Sequence, residues 1–440
     1  MEDCINRGTI VASGSPSGNI GTGGISAFYT PGSKFVGCAN YGTVQAEKKP
    51  YCGGIVGHFK KIVVMDPVRT LFDGCHNSGA VKAVVGQGSG VLAYCHKNVT
   101  IRGCSNSGTV TGKSTMGGLV STMASGSEII DCWNSGDVVT DAETAGGIVA
   151  NNANACVIKG CVNSGDIASK GTTATSGKTV GGIAGTTGSM VSDCINFGTI
   201  SGFKDVGGLV GAPVKGRTGL VNCYNAGDVI APEESGGALC GTLASGSWDD
   251  TNNVSGCYFV DCFKGAVSEI GQSVSMSELV AMDMGDGWCR ISDDCMPLPE
   301  VYSDNPMAIV NCAAVVPADG EAFDGIGADM ALGLPDGVSW SSSLPAVVIS
   351  GSRAEVVKAG SEQDVVLTAT DGVYSRRWPV RVKAMSGIDS VAGDGVAVVS
   401  ARYYDLGGAE IVRPVAGRIY IVEITYRDGT VASSKIMYCE

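Results

Sequence analysis

The chain has 440 residues, of which 66 are glycine and only 14 are proline, and its net charge is −13. Glycine well above its background of about 7%, without a Gly-X-Y period, excludes collagen, and 44% hydrophobic residues exclude a disordered chain. The acidity excludes a nucleic-acid partner, whose phosphates need a basic patch; Lys and Arg stand together only as the pairs Lys48-Lys49, Lys60-Lys61 and Arg376-Arg377.

From the N-terminus onward, Met1-Glu2-Asp3-Cys4 has neither the basic start nor the apolar stretch of a signal peptide. No run of about 18 apolar residues occurs, so no membrane span is expected. The chain opens inside a repeat unit, which predicts that upstream repeats are missing from it. The first coil is then a raw edge, expected to fray over residues 1–24 or to associate weakly end to end.

The pattern Cys-x-Asn-x-Gly occurs eight times, beginning at Cys4, Cys38, Cys75, Cys104, Cys132, Cys161, Cys194 and Cys223. Cys257 opens a degenerate ninth copy, and successive copies are 28 to 37 residues apart. Six residues after each strict Cys stands Val or Ile, as at Ile10, Val44, Val81 and Val110. Three residues before most of them stands a large apolar residue, as at Phe35, Phe72, Ile101 and Ile129. Between these lies Gly-Gly plus an apolar residue, as in Gly53-Gly54-Ile55 and Gly117-Gly118-Leu119.

Short alternating runs of this kind read as half-buried strands. In residues 53–57 the alternation puts Ile55 and Gly57 on one face and Val56 on the other. Glycine and Asx residues supply positive φ at corners. No unit can bury its apolar face alone, so the units stack at about 4.8 Å per coil. Residues 1–264 are therefore expected to form a right-handed parallel β-helix, a solenoid of eight to nine coils and roughly 40 Å long.

In-phase residues then become ladders. The cysteines from Cys4 to Cys223 stack inside the helix, where parallel register holds their Cβ atoms farther apart than an unstrained disulfide allows. They are expected as buried free thiols; no Cys-x-x-Cys spacing suggests a metal. The asparagines Asn6, Asn40, Asn77, Asn106, Asn134, Asn163, Asn196 and Asn225 read as amides stacked at a corner, satisfying backbone groups above and below.

Cys-Ile-Asn-Phe-Gly-Thr-Ile (194–200) followed by Val-Gly-Gly-Leu-Val-Gly (206–211) resembles the GLUG-motif repeats of bacterial surface proteins, also seen in the IgA-protease family. The resemblance covers residues 1 to about 260. It implies display outside the cell and nothing about chemistry.

After Cys262 the period is lost. Residues 265–305 read as a cap on the array, with a helix-like stretch at Ser275–Met284 and with Cys289 and Cys295 close enough in sequence to pair. Residues 306–384 read as a small β-sandwich, with β-rich runs at Ala308–Val316, Val338–Ser342, Ala346–Ile349, Ala354–Val357, Asp364–Ala369 and Trp378–Val382. This stretch is similar to bacterial Ig-like domains. Residues 385–440 carry Tyr403-Tyr404-Asp405-Leu406-Gly407-Gly408, then Gly417-Arg418-Ile419-Tyr420-Ile421-Val422, Asp428-Gly429 and Lys435-Ile436. That order resembles the C-terminal sorting domains of type IX secretion, which implies export to the outer surface or medium through that machinery; Cys439 departs from it.

Glycosidases need two carboxylates on neighbouring coils. Asp137, Asp166 and Asp228 instead fill slots held elsewhere by Thr or Ala and read as turn residues. Asp249-Asp250 and Asp293-Asp294 have no basic neighbour in sequence. His58, His76 and His96 form no His-Glu-x-x-His. There is no Gly-x-Ser-x-Gly elbow or P-loop, and Gly86-Gln87-Gly88-Ser89-Gly90 is merely glycine-rich. The reading is a non-catalytic surface or secreted protein without cofactor or metal, an adhesin-like rod. Residues flanking the ladder asparagines are expected to point outward: His76, Trp133, Ile195 and Tyr224 on one line, Tyr41 and Phe197 on the next. That face could stack on the sugar rings of a glycan or meet a host surface protein. A β-helix lyase or hydrolase, and a passive spacer for a further N-terminal domain, are the alternative readings.

Overall fold

The computed structural model describes residues 1–14, 20–60, 68–141, 143–152, 155–172, 179–232, 235–241, 253–260, 270–318, 323, 325–357, 361–384, 398–406, 408–412, 414–415, 418–426 and 431–437. Lys61, Asp249-Asp250, Cys262, Asp428-Gly429 and Cys439 lie outside them. The chain divides into two units: residues 1–275 with 283–288 and 299–301, and the remainder.

The first unit is a parallel β-helix. Its five sheets, here lettered A to E in the order the chain visits them, take one short strand from each coil. In the second coil these are Lys34–Val36 entering it (A), Ala39–Asn40 (B), Val44–Ala46 (C), Tyr51–Gly53 (D) and Val56–Phe59 (E). Pairing is strictly in phase. Phe72 stands between Phe35 and Ile101, Asn77 between Asn40 and Asn106, and Val81 between Val44 and Val110. Equivalent backbone groups thus meet from coil to coil, and the described strands of these five sheets satisfy them through parallel pairs.

The corner from sheet A into sheet B is set by one residue. In all nine copies the residue before the ladder Cys has φ between 49° and 61°: Asp3, Gly37, Gly74, Gly103, Asp131, Gly160, Asp193, Asn222 and Gly256. Gly, Asp and Asn are the residues that tolerate this left-handed backbone.

The coil is not a simple ring. The Gly-Gly turn joining D to E folds inward, so these two sheets lie backbone against backbone. A Cβ on Gly53 would stand 2.0 Å from the Val56 carbonyl oxygen, and one on Gly57 would stand 2.5 Å from the Thr22 nitrogen. The tip of the turn reaches the asparagine ladder: a Cβ on Gly54 would sit 2.4 Å from Asn77 Oδ1. This inward fold splits the interior in two. One core holds the apolar residues of sheets A and E with the Cys ladder, among them Phe72, Ile101, Cys104, Leu119 and Val120. The other holds those of C and D, among them Val44, Cys52, Val110 and Met116. Ile55 and Val56 both enter the first core. The expected alternation between them fails because Ile55 lies in the turn, not in the strand.

Cys75, Cys104, Cys132 and Cys161 stack in consecutive coils, and all described cysteines are free thiols. The Cys75 backbone N–H donates to Cys104 Sγ at 3.3 Å. Burial pushes the Cys132 and Cys194 thiols up, and Cys52 up to about 12, so they pack as small hydrophobes. The asparagines lie in the interior rather than at an outer corner. Asn77 Nδ2 donates to Asn106 Oδ1 at 2.7 Å and to the Gly79 carbonyl at 2.9 Å. Asn6, in the first coil, accepts from Gly8 N–H at 3.1 Å instead of from an earlier amide. At the other end Asn225 Nδ2 turns to the Ala238 carbonyl at 3.0 Å, because Phe259 occupies the next slot.

The second unit contains helix α1 (Met276–Ala281) and helix α2 (Pro306–Cys312). Residues 308–312, expected as strand, are helical. Asn305 caps the helix by accepting from Met307 and Ala308 N–H, and Pro306 pre-sets its first turn. The strands of residues 315–382 form two antiparallel sheets of four and three strands. Their buried residues include Val315, Leu332, Trp340, Leu367 and Trp378. A further four-stranded antiparallel sheet contains Val398–Tyr404, Glu410–Ile411, Ile419–Tyr426 and Val431–Met437. Cys295 is not paired with Cys289. Its strand neighbour is Ala313, and Met296 N–H donates to the Cys312 carbonyl at 2.9 Å. Among the described residues no helix is long and apolar enough to cross a membrane.

Candidate functional site

The aromatic face read from sequence is largely not a surface. Tyr41 is open, 44% exposed, with the Arg7 guanidinium 4.6 Å above its ring and the half-buried His76 tilted 6.1 Å away. Trp133, Ile195, Phe197 and Tyr224 are buried. Trp133 Nε1 donates to Ser164 Oγ at 3.0 Å. Tyr224 packs against Phe197 at 5.9 Å and Trp288 at 6.1 Å, and Trp288 Nε1 donates to Asp193 Oδ1 at 3.4 Å. Strand alternation points these side chains away from the core. It does not show that residues 283–288 return over the outer side of sheet B in the last coils.

Two of the repeat acids tie coil to coil. Asp137 Oδ1 accepts from Asp166 N–H at 3.1 Å, and Asp166 Oδ1 accepts from Thr199 N–H at 2.9 Å, each tying one coil to the next. Burial raises the Asp137 carboxyl above the usual range.

A second aromatic group lies where sheets D and E diverge. At the tip they touch through glycine; farther out their facing positions carry larger side chains. In the second and third coils these are Tyr51 on D, with His58 and Tyr94 in register on E. The Tyr51 and His58 rings lie 4.2 Å apart, His58 and Tyr94 5.2 Å, and Tyr51 and Tyr94 5.3 Å. Phe28, in register with His58, is 44% exposed, with Lys60 Nζ 4.7 Å from its ring centroid. Farther along the same line the aromatics give way to polar groups. Gln87 Oε1 accepts from Thr122 Oγ1 at 3.0 Å, and Thr179 shares a 2.8 Å hydrogen bond with Thr186.

The sequence reading passed over this cluster, because Tyr51, His58 and Tyr94 sit 7 and 36 residues apart on different sheets. One signal was available. Gly53-Gly54 and Gly90 recur at the same slot as Gly117-Gly118, and two strands joined by such a turn place flanking residues opposite each other.

His58 is held below its ordinary value by burial and by the nearby His96, and His76 by burial. In the unfolded chain both protonate below about 6.5; in the folded chain they resist. The unfolded state therefore binds more protons as pH falls through 6.5, and stability is lost on that acid side. Amide exchange of Ile55 and Leu92 is expected to quicken between pH 7.5 and 5.5, corrected for intrinsic rates. His58→Gln should remove part of that change, and an unchanged slope in the variant would refute the assignment.

No protein-family model matches the sequence, and no curated protein matches it. Among solved structures, the chain is similar to a Bacteroides ovatus protein described as a candidate immunoglobulin A1 protease. Identity is 16% and the TM-score 0.35, over 67% of this chain and 74% of that one.

Proposed function

We propose that this chain is a non-catalytic, exported protein displayed at a bacterial surface, which binds a neutral glycan at the mouth between sheets D and E. The observation that supports it is the aromatic cluster of Tyr51, His58 and Tyr94 beside the exposed Phe28. Ring faces meet the C–H faces of sugars, and their low side-chain entropy makes them inexpensive to order. The rings stand on strands locked coil to coil, so the face is pre-organised. Export rests on the resemblance of residues 386–440 to type IX sorting domains.

The test is a panel of immobilised neutral oligosaccharides. Wild-type chain is expected to bind at least one, and Tyr94→Ala and Phe28→Ala to weaken that binding about tenfold or more, as for aromatic anchors of an interface, while the melting temperature of Phe28→Ala stays unchanged. The bound oligosaccharide should be recovered uncleaved. Failure of the whole panel, or full binding by the double variant, refutes the reading.

A further inference from the structure

The outer side of sheet C carries a cleft of about 350 Å³, within the range of small-ligand sites. Two adjacent rows build it. One is the outward row of the sheet, with Lys82 next to Thr111 and then Val139 in successive coils. The other is the residue just past each strand: Val84, Lys113, Asp141 and Lys170. Their backbone N–H groups donate to Ala46, Ala83, Gly112 and Thr140 of the preceding coils, so they too lie on one line, a coil apart.

Three ammonium groups thus converge on a chain of net charge −13, with one carboxylate among them. The charged side chains are exposed, and no described residue pairs with any of the four at ion-pair distance. A positive cleft on an acidic chain concentrates field where an anion would be drawn. Lysine offers a point charge on a flexible stem, suited to a carboxylate or sulfate presented at variable angle. Val84 and Val139 add apolar surface between the charges.

The order of signs along the second row narrows the ligand. Lys113 and Lys170 are two coils apart, about 10 Å at the parallel-strand spacing, and Asp141 stands between them. A polymer charged on every unit, such as a nucleic acid, would set an anion against Asp141. A polysaccharide that alternates an acidic and a neutral ring would place its acids at the lysines and a hydroxyl donor at the aspartate. We infer that this cleft binds an acidic glycan charged on alternate sugars. The site is separate from the aromatic mouth and does not depend on it.

Titration calorimetry of the full chain at low and high salt tests this with three probes. They are a hyaluronan hexasaccharide (acid on alternate rings), an oligogalacturonide of equal length (acid on every ring) and maltohexaose (neutral). The hyaluronan oligomer is expected to bind, more weakly at high salt. Lys113→Ala and Lys170→Ala should each lower its affinity up to about fivefold, the range of exposed ion pairs, and the Lys82/Lys113/Lys170 triple alanine variant should abolish it. Lys34→Ala, on sheet A, should have no effect. Asp141→Ala should weaken the hyaluronan oligomer and strengthen the oligogalacturonide. All these side chains are exposed, so the melting temperatures should match wild type. Tyr94→Ala should leave acidic binding intact, which separates this site from the aromatic one. The inference is overturned if no acidic probe binds, if the triple variant binds as wild type does, or if the fully charged oligomer binds best.

Discussion

Gly147→Ala is expected to abolish folding of the central coils. A Cβ there would stand 2.0 Å from the Gly182 carbonyl oxygen and 2.4 Å from the Asn163 side chain. Neither can move: the carbonyl belongs to the next turn, and the amide is tied into the ladder. Overpacking usually costs about 1–3 kcal/mol, but here the obstacle is backbone on one side and a fixed polar group on the other. The cost should reach about 4 kcal/mol or more, the upper tail for single substitutions. Gly74→Ala is the control. Its φ is +59°, yet nothing lies within 4 Å of the added Cβ, so only the left-handed backbone resists, at roughly 1–2 kcal/mol. Urea unfolding followed by tryptophan fluorescence should show Gly147→Ala far below Gly74→Ala. Equal midpoints would mean that the two sheets can part at the turn without loss.

Asn134→Ala should be the next most damaging change. Its Nδ2 donates to Asn163 Oδ1 at 2.8 Å and to the Gly136 carbonyl at 2.8 Å, and its Oδ1 accepts from Asn106 Nδ2 at 2.8 Å. Truncation strands buried donors and acceptors above and below, each costing about 1–3 kcal/mol, so a loss of about 3–5 kcal/mol is expected. Because each coil rests on its neighbours, the loss should appear as faster amide exchange across the fourth to sixth coils rather than at Asn134 alone. Asn134→Asp separates shape from hydrogen bonding. A buried carboxylate there can only accept, and it meets the Asn163 and Gly136 oxygens. Its folded-state pKa is then raised above the unfolded value of about 3.9, so its stability deficit shrinks as pH falls toward 4 and grows as pH rises. A deficit that stays constant with pH would show that the ladder's donors do not matter.

These two residue types explain why the repeat has its composition. The asparagine is a hydrogen-bonded column between two apolar cores. The second glycine of each pair leaves room for that column, and the glycine two residues beyond the asparagine does the same from the other side: a Cβ on Gly136 would sit 2.2 Å from the Gly108 carbonyl oxygen. Buried polar networks of this kind are stabilising only when complete. The eight strict copies keep Asn and both glycine positions nearly without exception for that reason, while loop lengths between them drift.

The repeat array was legible in the sequence because a solenoid repeats its contacts as it repeats its residues. The phase of Cys4 to Cys223, the apolar positions such as Phe72 and Val81, and the free-thiol state of the ladder follow from strand period and coil spacing alone. The left-handed corner was legible only in kind, as glycine or Asx residues where the chain turns. Three things were decided only by the tertiary structure. The Gly-Gly turn folds inward and moves Ile55 to the core shared with Val56, because closest approach between sheets is set by which backbones meet, and no local pattern encodes that. Tyr51, His58 and Tyr94 come together because coils of unequal length bring into line residues that share no fixed spacing, whereas Lys113, Asp141 and Lys170 each stand nine residues after a ladder Cys and only their sharing of one cleft with Lys82 came from the fold. Tyr224 is buried because alternation determines which way a side chain points along a strand, whereas burial depends on what the rest of the chain lays over it, here Trp288.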